Sequence, residues 1–150
     1  MPGAAIKLAE HHRHCDELFV AADEAASAGD WIALVARVAA VREGLLAHFR
    51  YEEERIFPLY EETSGEEGAT EALCAAHDDM RAALWALATY SAEADSQRYC
   101  RELAELRAAF EKHEAETAEQ VTRLEQVFEE FGEKPHGKTC PAIIGIIEEG

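Results

Sequence analysis

Apolar residues recur at steps of three and four along most of the chain, the spacing that lines them up on one face of an α-helix. Residues 3–28 carry Ile6, Leu8, Cys15, Leu18, Phe19 and Ala22 in that register and stop at Ser27-Ala28-Gly29, a C-terminal glycine signal. Asp30 is placed to cap a second helix that runs to about Glu62, with the stripe Trp31, Leu34, Val38, Val41, Leu45, His48, Glu52, Ile56 and Leu59. Pro58 falls near its end; proline lacks an N–H and crowds the preceding turn, so the last turn is expected to kink or loosen. After Thr63-Ser64-Gly65 a third helix is expected from Thr70, a plausible N-cap, through Leu73, His77, Met80, Leu84 and Leu87, fading near Ser91. A fourth, from about Asp95 to Phe131, lines up Leu103, Leu106, Phe110, His113, Thr117, Val121, Leu124 and Phe128.

No stretch alternates with the period of two that a strand needs, and the three connections are short, which makes consecutive helices antiparallel. The expected fold is all-α, an up-down-up-down four-helix bundle over residues 1–131. At 150 residues the chain fits one domain with a core that needs no staples. Beyond Gly132 the character changes. The tail, 132–150, has two prolines and a short apolar segment, 142–147, expected to fold back on the bundle or to meet a protein partner or a second copy; it is too short to span a bilayer.

Charge narrows the partners. With 14 Lys+Arg against 31 Asp+Glu, the formal net charge is -17, which argues against nucleic acid and anionic membrane surfaces, since both attract clustered cations. No apolar run approaches a membrane span and the N-terminal residues lack the apolar block of a signal peptide, so a cytoplasmic location is expected. Cys15, Cys74, Cys100 and Cys140 form no CxxC pair and read as free thiols, Cys15 and Cys74 as small core residues.

The informative departures are polar residues on apolar stripes. Each helix puts one histidine on its inward line: His12, His48, His77 and His113. Leaving a buried polar ring unsatisfied costs about 1–3 kcal/mol, so four such rings call for a common partner. Glu52 sharpens the case: it follows His48 by four residues, on the same face one turn on, and a buried carboxylate must pair, neutralise or ligate. A metal ion satisfies all of these groups at once, and bundle interiors hold such sites. Imidazole with carboxylate suits iron or manganese, with zinc as the alternative. A ferritin-like di-iron bundle needs Glu-x-x-His pairs on two helices; the residues three before His12, His48, His77 and His113 are Ala9, Leu45, Cys74 and Phe110.

At this point the sequence resembles a known family. His12-Arg13-His14-Cys15-Asp16-Glu17-Leu18-Phe19, then His48-x-x-x-Glu52-Glu53 followed by Ile56-Phe57-Pro58-Leu59, then His77-x-x-Met80-Arg81, then His113, together look like the hemerythrin-like (HHE cation-binding) domain of bacterial type, over about residues 5–130. The resemblance implies a bundle holding non-haem iron, one or two ions, that binds O2 or reacts with small oxidants. Carried over position by position, it implies His12, His48, Glu52, His77 and His113 as ligands. His11 stays an alternative to His12, because 8, 11, 15, 18 is also a helical line. Arg81 stands where the invertebrate oxygen carriers have a second histidine. Thr117 and Ala118 stand where a fourth-helix carboxylate is usual, which leaves Glu116 as the carboxylate to swing in, and Arg81 is expected to neutralise Glu52 or Glu116.

Three functions follow as expectations: a binding or sensing module for O2 or a related molecule such as NO or peroxide; an iron-dependent enzyme that handles oxidants or repairs iron sites; and a metal-depleted or zinc-bearing interaction module acting through the tail. His14 is expected to face solvent, and His136 and Cys140 to be ordinary loop residues.

Overall fold

The computed structural model describes residues 2–130, and among these the chain is helical with no strand. Five α-helices follow in order: α1 (Pro2–Ser27), α2 (Trp31–Tyr51), α3 (Phe57–Ser64), α4 (Glu71–Thr89) and α5 (Ser96–Glu130), with a π-helical turn, Glu52–Ile56, joining α2 to α3. That turn makes α2 and α3 one rod, so four rods form the bundle, and α1 packs on α2, α2 on α4, α4 on α5 and α5 back on α1. The expected tail, 132–150, and the end of the fourth helix at Phe131 lie outside the described residues.

Local chemistry sets the boundaries. Gly29 takes φ 67°, the left-handed region that closes α1, and the Asp30 N–H behind it donates to Ala25 O at 3.1 Å. Asp30 Oδ1 then accepts from the Ala33 N–H at 3.0 Å, capping α2 as its sequence position foretells. Thr70 precedes α4 but does not cap it with its side chain. Its hydroxyl donates to Glu61 Oε1 at 2.6 Å and its N–H to the same oxygen at 3.0 Å, which ties the start of α4 to α3.

Pro58 acts upstream of the turn where loosening was expected. A proline ring crowds the carbonyl four residues back, here that of Glu54, and the helix widens just before it: the Phe57 N–H donates to Glu52 O, five residues away. Regular helix then resumes with Pro58 in the first turn of α3, where a missing N–H is tolerated.

The apolar side chains form two clusters rather than one. The first gathers Cys15, Phe19, Leu34, Val38, Leu45, Phe49, Met80, Leu84, Leu103, Leu106 and Phe110; the second gathers Leu8, Ile56, Phe57, Leu59, Leu73, Val121 and Leu124. Along each rod the histidine lies between residues of the two: Leu8, His12, Cys15; Leu45, His48, Ile56; Leu73, His77, Met80; Phe110, His113, Val121. A polar layer is therefore sandwiched between two oily ones. Ile6, expected on the inward line of the first helix, is instead 58% exposed, so that face begins at Leu8.

α1 and α2 approach closely in the first cluster. A Cβ at Gly44 would stand 2.6 Å from Leu18 Cδ1, so in its present rotamer the end of Leu18 occupies the space a side chain there would take.

Candidate metal centre

Four rods each deliver one histidine to the polar layer because each side chain occupies an inward position of its heptad-like stripe. Glu52 lies at the middle of the layer and is fully buried, as are His48, His77 and His113; the His12 side chain is only slightly exposed. The two carboxylate oxygens of Glu52 divide the histidines between them. Oε2 lies 2.7 Å from His113 Nε2 and 3.0 Å from His77 Nε2, while Oε1 faces His48 Nε2 at 3.3 Å and His12 Nε2 at 3.9 Å. Two triads result, His12/His48/Glu52 and Glu52/His77/His113, each with its donor atoms within 4.8 Å of one another, and they share one carboxylate.

The electrostatics suit a cation. Burial by itself raises the Glu52 carboxyl, but the imidazoles of His113, His12, His48 and His77 turned toward it outweigh burial and hold it well below the usual carboxylate range, so it is ionised. Burial lowers the His48 imidazole, which leaves a neutral ring with a lone pair to give.

Polar atoms here lack partners. His12 Nε2, both nitrogens of His48, Glu52 Oε1 and His113 Nδ1 are buried without a hydrogen bond. In the other triad the problem is crowding: His77 Nε2 stands 2.9 Å from His113 Nε2, and both face Glu52 Oε2. Lone pairs do not converge at that distance without a proton or a cation between them, and buried groups left bare are costly. Residues and geometry thus fit a bound metal ion in each triad.

The rings are held by aromatic packing. His77 is stacked on Phe49 at 4.1 Å and on Phe57 at 5.5 Å between centroids, and His48 meets Phe110 edge-on at 5.6 Å. His11 packs against Tyr51 at 4.8 Å and stays outside both triads, so between the two neighbouring histidines it is His12 that the fold brings inward. His14 is exposed, as its position suggested.

Two expected placements differ, those of Glu116 and Arg81, while Thr117 keeps its inward position. Glu116 does not join the cluster: its side chain is 45% exposed and stands 3.8 Å from Lys112 Nζ, because position 116 falls about a quarter of a turn off the inward line that His113 and Thr117 share. Thr117 is fully buried, but its hydroxyl donates back to His113 O at 3.1 Å, leaving no carboxylate from α5 in the layer. Arg81 meets neither Glu52 nor Glu116; it forks onto Glu53 at 3.0 Å to each oxygen and reaches Asp78 at 2.9 Å. His136 and Cys140 lie outside the described residues, and Cys15, Cys74 and Cys100 are free thiols.

Glu53 is the residue that sequence reading missed. It lies 2.7 Å from His77 Nδ1, on the far side of the ring from Glu52. On a regular helix it would face about 100° away from Glu52. The one available signal was the EEE run followed four residues later by Pro58, a place for a widened turn.

A groove of ≈ 540 Å³ between α4 and α5 leads to His113, lined by Ala76, Met80, Ala83, Leu106 and Ala109 among others. Small side chains on both helices leave room beside the histidine cluster that longer ones would fill.

A family model described as a domain of unknown function (DUF892) matches residues 69–150. The matched segment holds His77, Arg81 and His113 and leaves out His12, His48, Glu52 and Glu53. No curated protein and no solved structure matches the chain.

Proposed function

The chain belongs to the family described as a domain of unknown function (DUF892), and from its buried cluster we propose that it is a hemerythrin-like, non-haem iron-binding protein that binds or senses O2 or a related small molecule. The observation that carries this reading is Glu52: one ionised, buried carboxylate whose two oxygens each face a different pair of histidines. Two histidines and one carboxylate with open positions are the donor set typical of non-haem Fe(II). His12, His48, Glu52, His77 and His113 would together hold one or two such ions.

Iron so held supplies reversible redox chemistry and free coordination positions to a small ligand. The chain's own residues do the rest. His12 and His48 on one side, and His77 and His113 on the other, fix the positions of the donors. Phe49, Phe57 and Phe110 pack against the rings and hold them in place, and the groove along α4 and α5 has His113 in its lining, the side from which a small molecule would approach. The absence of an α5 carboxylate favours open positions, which also supports a second reading in which the same centre consumes peroxide.

Elemental analysis of protein purified without an affinity-tag metal tests the assignment. The expected result is one to two irons per chain and an absorption change when the reduced protein meets air or NO. Iron at background level after anaerobic reconstitution, or equal iron in wild type and Glu52→Gln, would overturn it. Peroxide turnover by the loaded protein would favour the second reading.

A further inference from the structure

A line of contacts runs from the buried ring of His77 outward: Glu53 to Arg81 to Asp78. Two consecutive carboxylates hold opposite nitrogens of one imidazole, Glu52 Oε2 at 3.0 Å from Nε2 and Glu53 Oε1 at 2.7 Å from Nδ1. The π-helical turn makes this possible. In a wider turn successive side chains diverge by less than they do on a regular helix, so Glu52 and Glu53 both address α4. The plane of the His77 ring is already held by Phe49 and Phe57, which leaves open only which nitrogen carries the proton.

We propose that Glu53 is the positioning residue of His77: it accepts the Nδ1–H, so that the Nε2 lone pair points into the layer, and Arg81 limits how much of its negative charge reaches the ring. Arg81 sits one turn after His77 on the same helix and donates from Nη2 to both Glu53 oxygens at 3.0 Å. Its guanidinium also lies 5.4 Å from the Phe49 ring centre, so it is anchored independently of Glu53. A bare carboxylate would draw the Nδ1 proton toward itself and make His77 a more anionic donor; the Arg81 fork opposes that. No equivalent partner serves two of the other rings in the layer: His48 Nδ1 and His113 Nδ1 make no hydrogen bond. His77 is thereby more firmly specified than His48 or His113, and within its own triad it alone has a carboxylate behind the ring.

The consequence for a bound ion rests on the metal-binding reading, but the tautomer is a property of the metal-free protein. It is therefore tested first without metal, by long-range 1H–15N correlation of the histidine side chains. Wild-type His77 is expected as the Nδ1–H form. Glu53→Gln, whose amide oxygen still accepts, is expected to keep that form, as is Arg81→Ala, whereas Glu53→Ala loses it.

Metal affinity is read next, by anaerobic Co(II) titration followed in the visible spectrum. Partners of metal-binding histidines typically contribute 10–100-fold in affinity, so Glu53→Ala should weaken one of the two ions by about that factor and leave the other unchanged, with Glu53→Gln restoring most of it. A residue that only ties α4 to the π turn would lower the melting temperature without moving tautomer or affinity.

An Nε2–H form in the wild type, or an unaltered tautomer in Glu53→Ala, would overturn the proposal. The wild-type spectrum decides the first point even if the alanine variant fails to fold. Should the wild type bind no Co(II) while the tautomer still follows Glu53, the metal reading falls and the positioning role stands.

Discussion

Replacing Glu52 by glutamine keeps the shape of the side chain and removes the charge shared by both triads, so it should abolish metal-dependent stabilisation as a whole rather than by half. A ligand that binds only the folded state stabilises it by RT ln(1 + [L]/Kd), about 2.7 kcal/mol for each site at a free concentration of 100 Kd. For a domain of this size each kcal/mol raises the melting temperature by about 2–4 °C. One ion therefore adds about 5–11 °C and two about 11–22 °C, by that same scaling. Glu52 faces His12 and His48 through one oxygen and His77 and His113 through the other, so Glu52→Gln loses the whole increment. His12→Ala touches one triad alone and should keep about half. Thermal unfolding by circular dichroism, each variant with and without Fe(II) under argon, reads the increment against the variant's own metal-free baseline. A full increment in Glu52→Gln would refute the shared-carboxylate reasoning. An equal loss in His12→Ala and Glu52→Gln would refute the division into two triads.

Other consequences are open to direct measurement. Phe110 is fully buried against Phe19 and the rings of His12 and His48, so Phe110→Ala should cost about 3–5 kcal/mol in urea unfolding of the metal-free protein; a loss below 1 kcal/mol would mean that the layer beside it collapses freely. The hydroxyl and then the N–H of Thr70 hold the Glu61 carboxyl below its ordinary value. Its contribution to stability is therefore present above the ordinary carboxylate range and lost as pH falls through the lowered value, so wild type and Glu61→Gln should differ at neutral pH and converge in acid. A constant difference across the range would show that Glu61 acts through packing instead. Ala109→Phe, in the groove between α4 and α5, should leave iron content unchanged and slow the stopped-flow reaction of the reduced protein with NO; an unaltered rate would mean that the small molecule arrives by another route.

Much of this molecule could be read from one sequence because helices report themselves. A period of 3.6 survives in the order of residues, so the inward lines of all four rods, the Gly29 stop and the Asp30 cap were legible, and with them the histidines, which break those lines at one level of the bundle. His12, His48, Glu52, His77 and His113 meet because each occupies an inward position, and inward positions are a property of spacing. What spacing does not contain is the local widening at Glu52–Ile56. That turn lies just before Pro58, in the rod whose end packs on α5, and in it Glu53 faces His77, where Arg81 pairs with it. The same limit explains Glu116 and Thr70. Near a site a side chain chooses among several partners in reach, and the choice between Lys112 and the histidine layer, or between a helix end and Glu61, depends on distances across the bundle. The order of residues determined which side chains face inward; only the packing of the rods decided which carboxylate stands between the histidines and which one stands behind them.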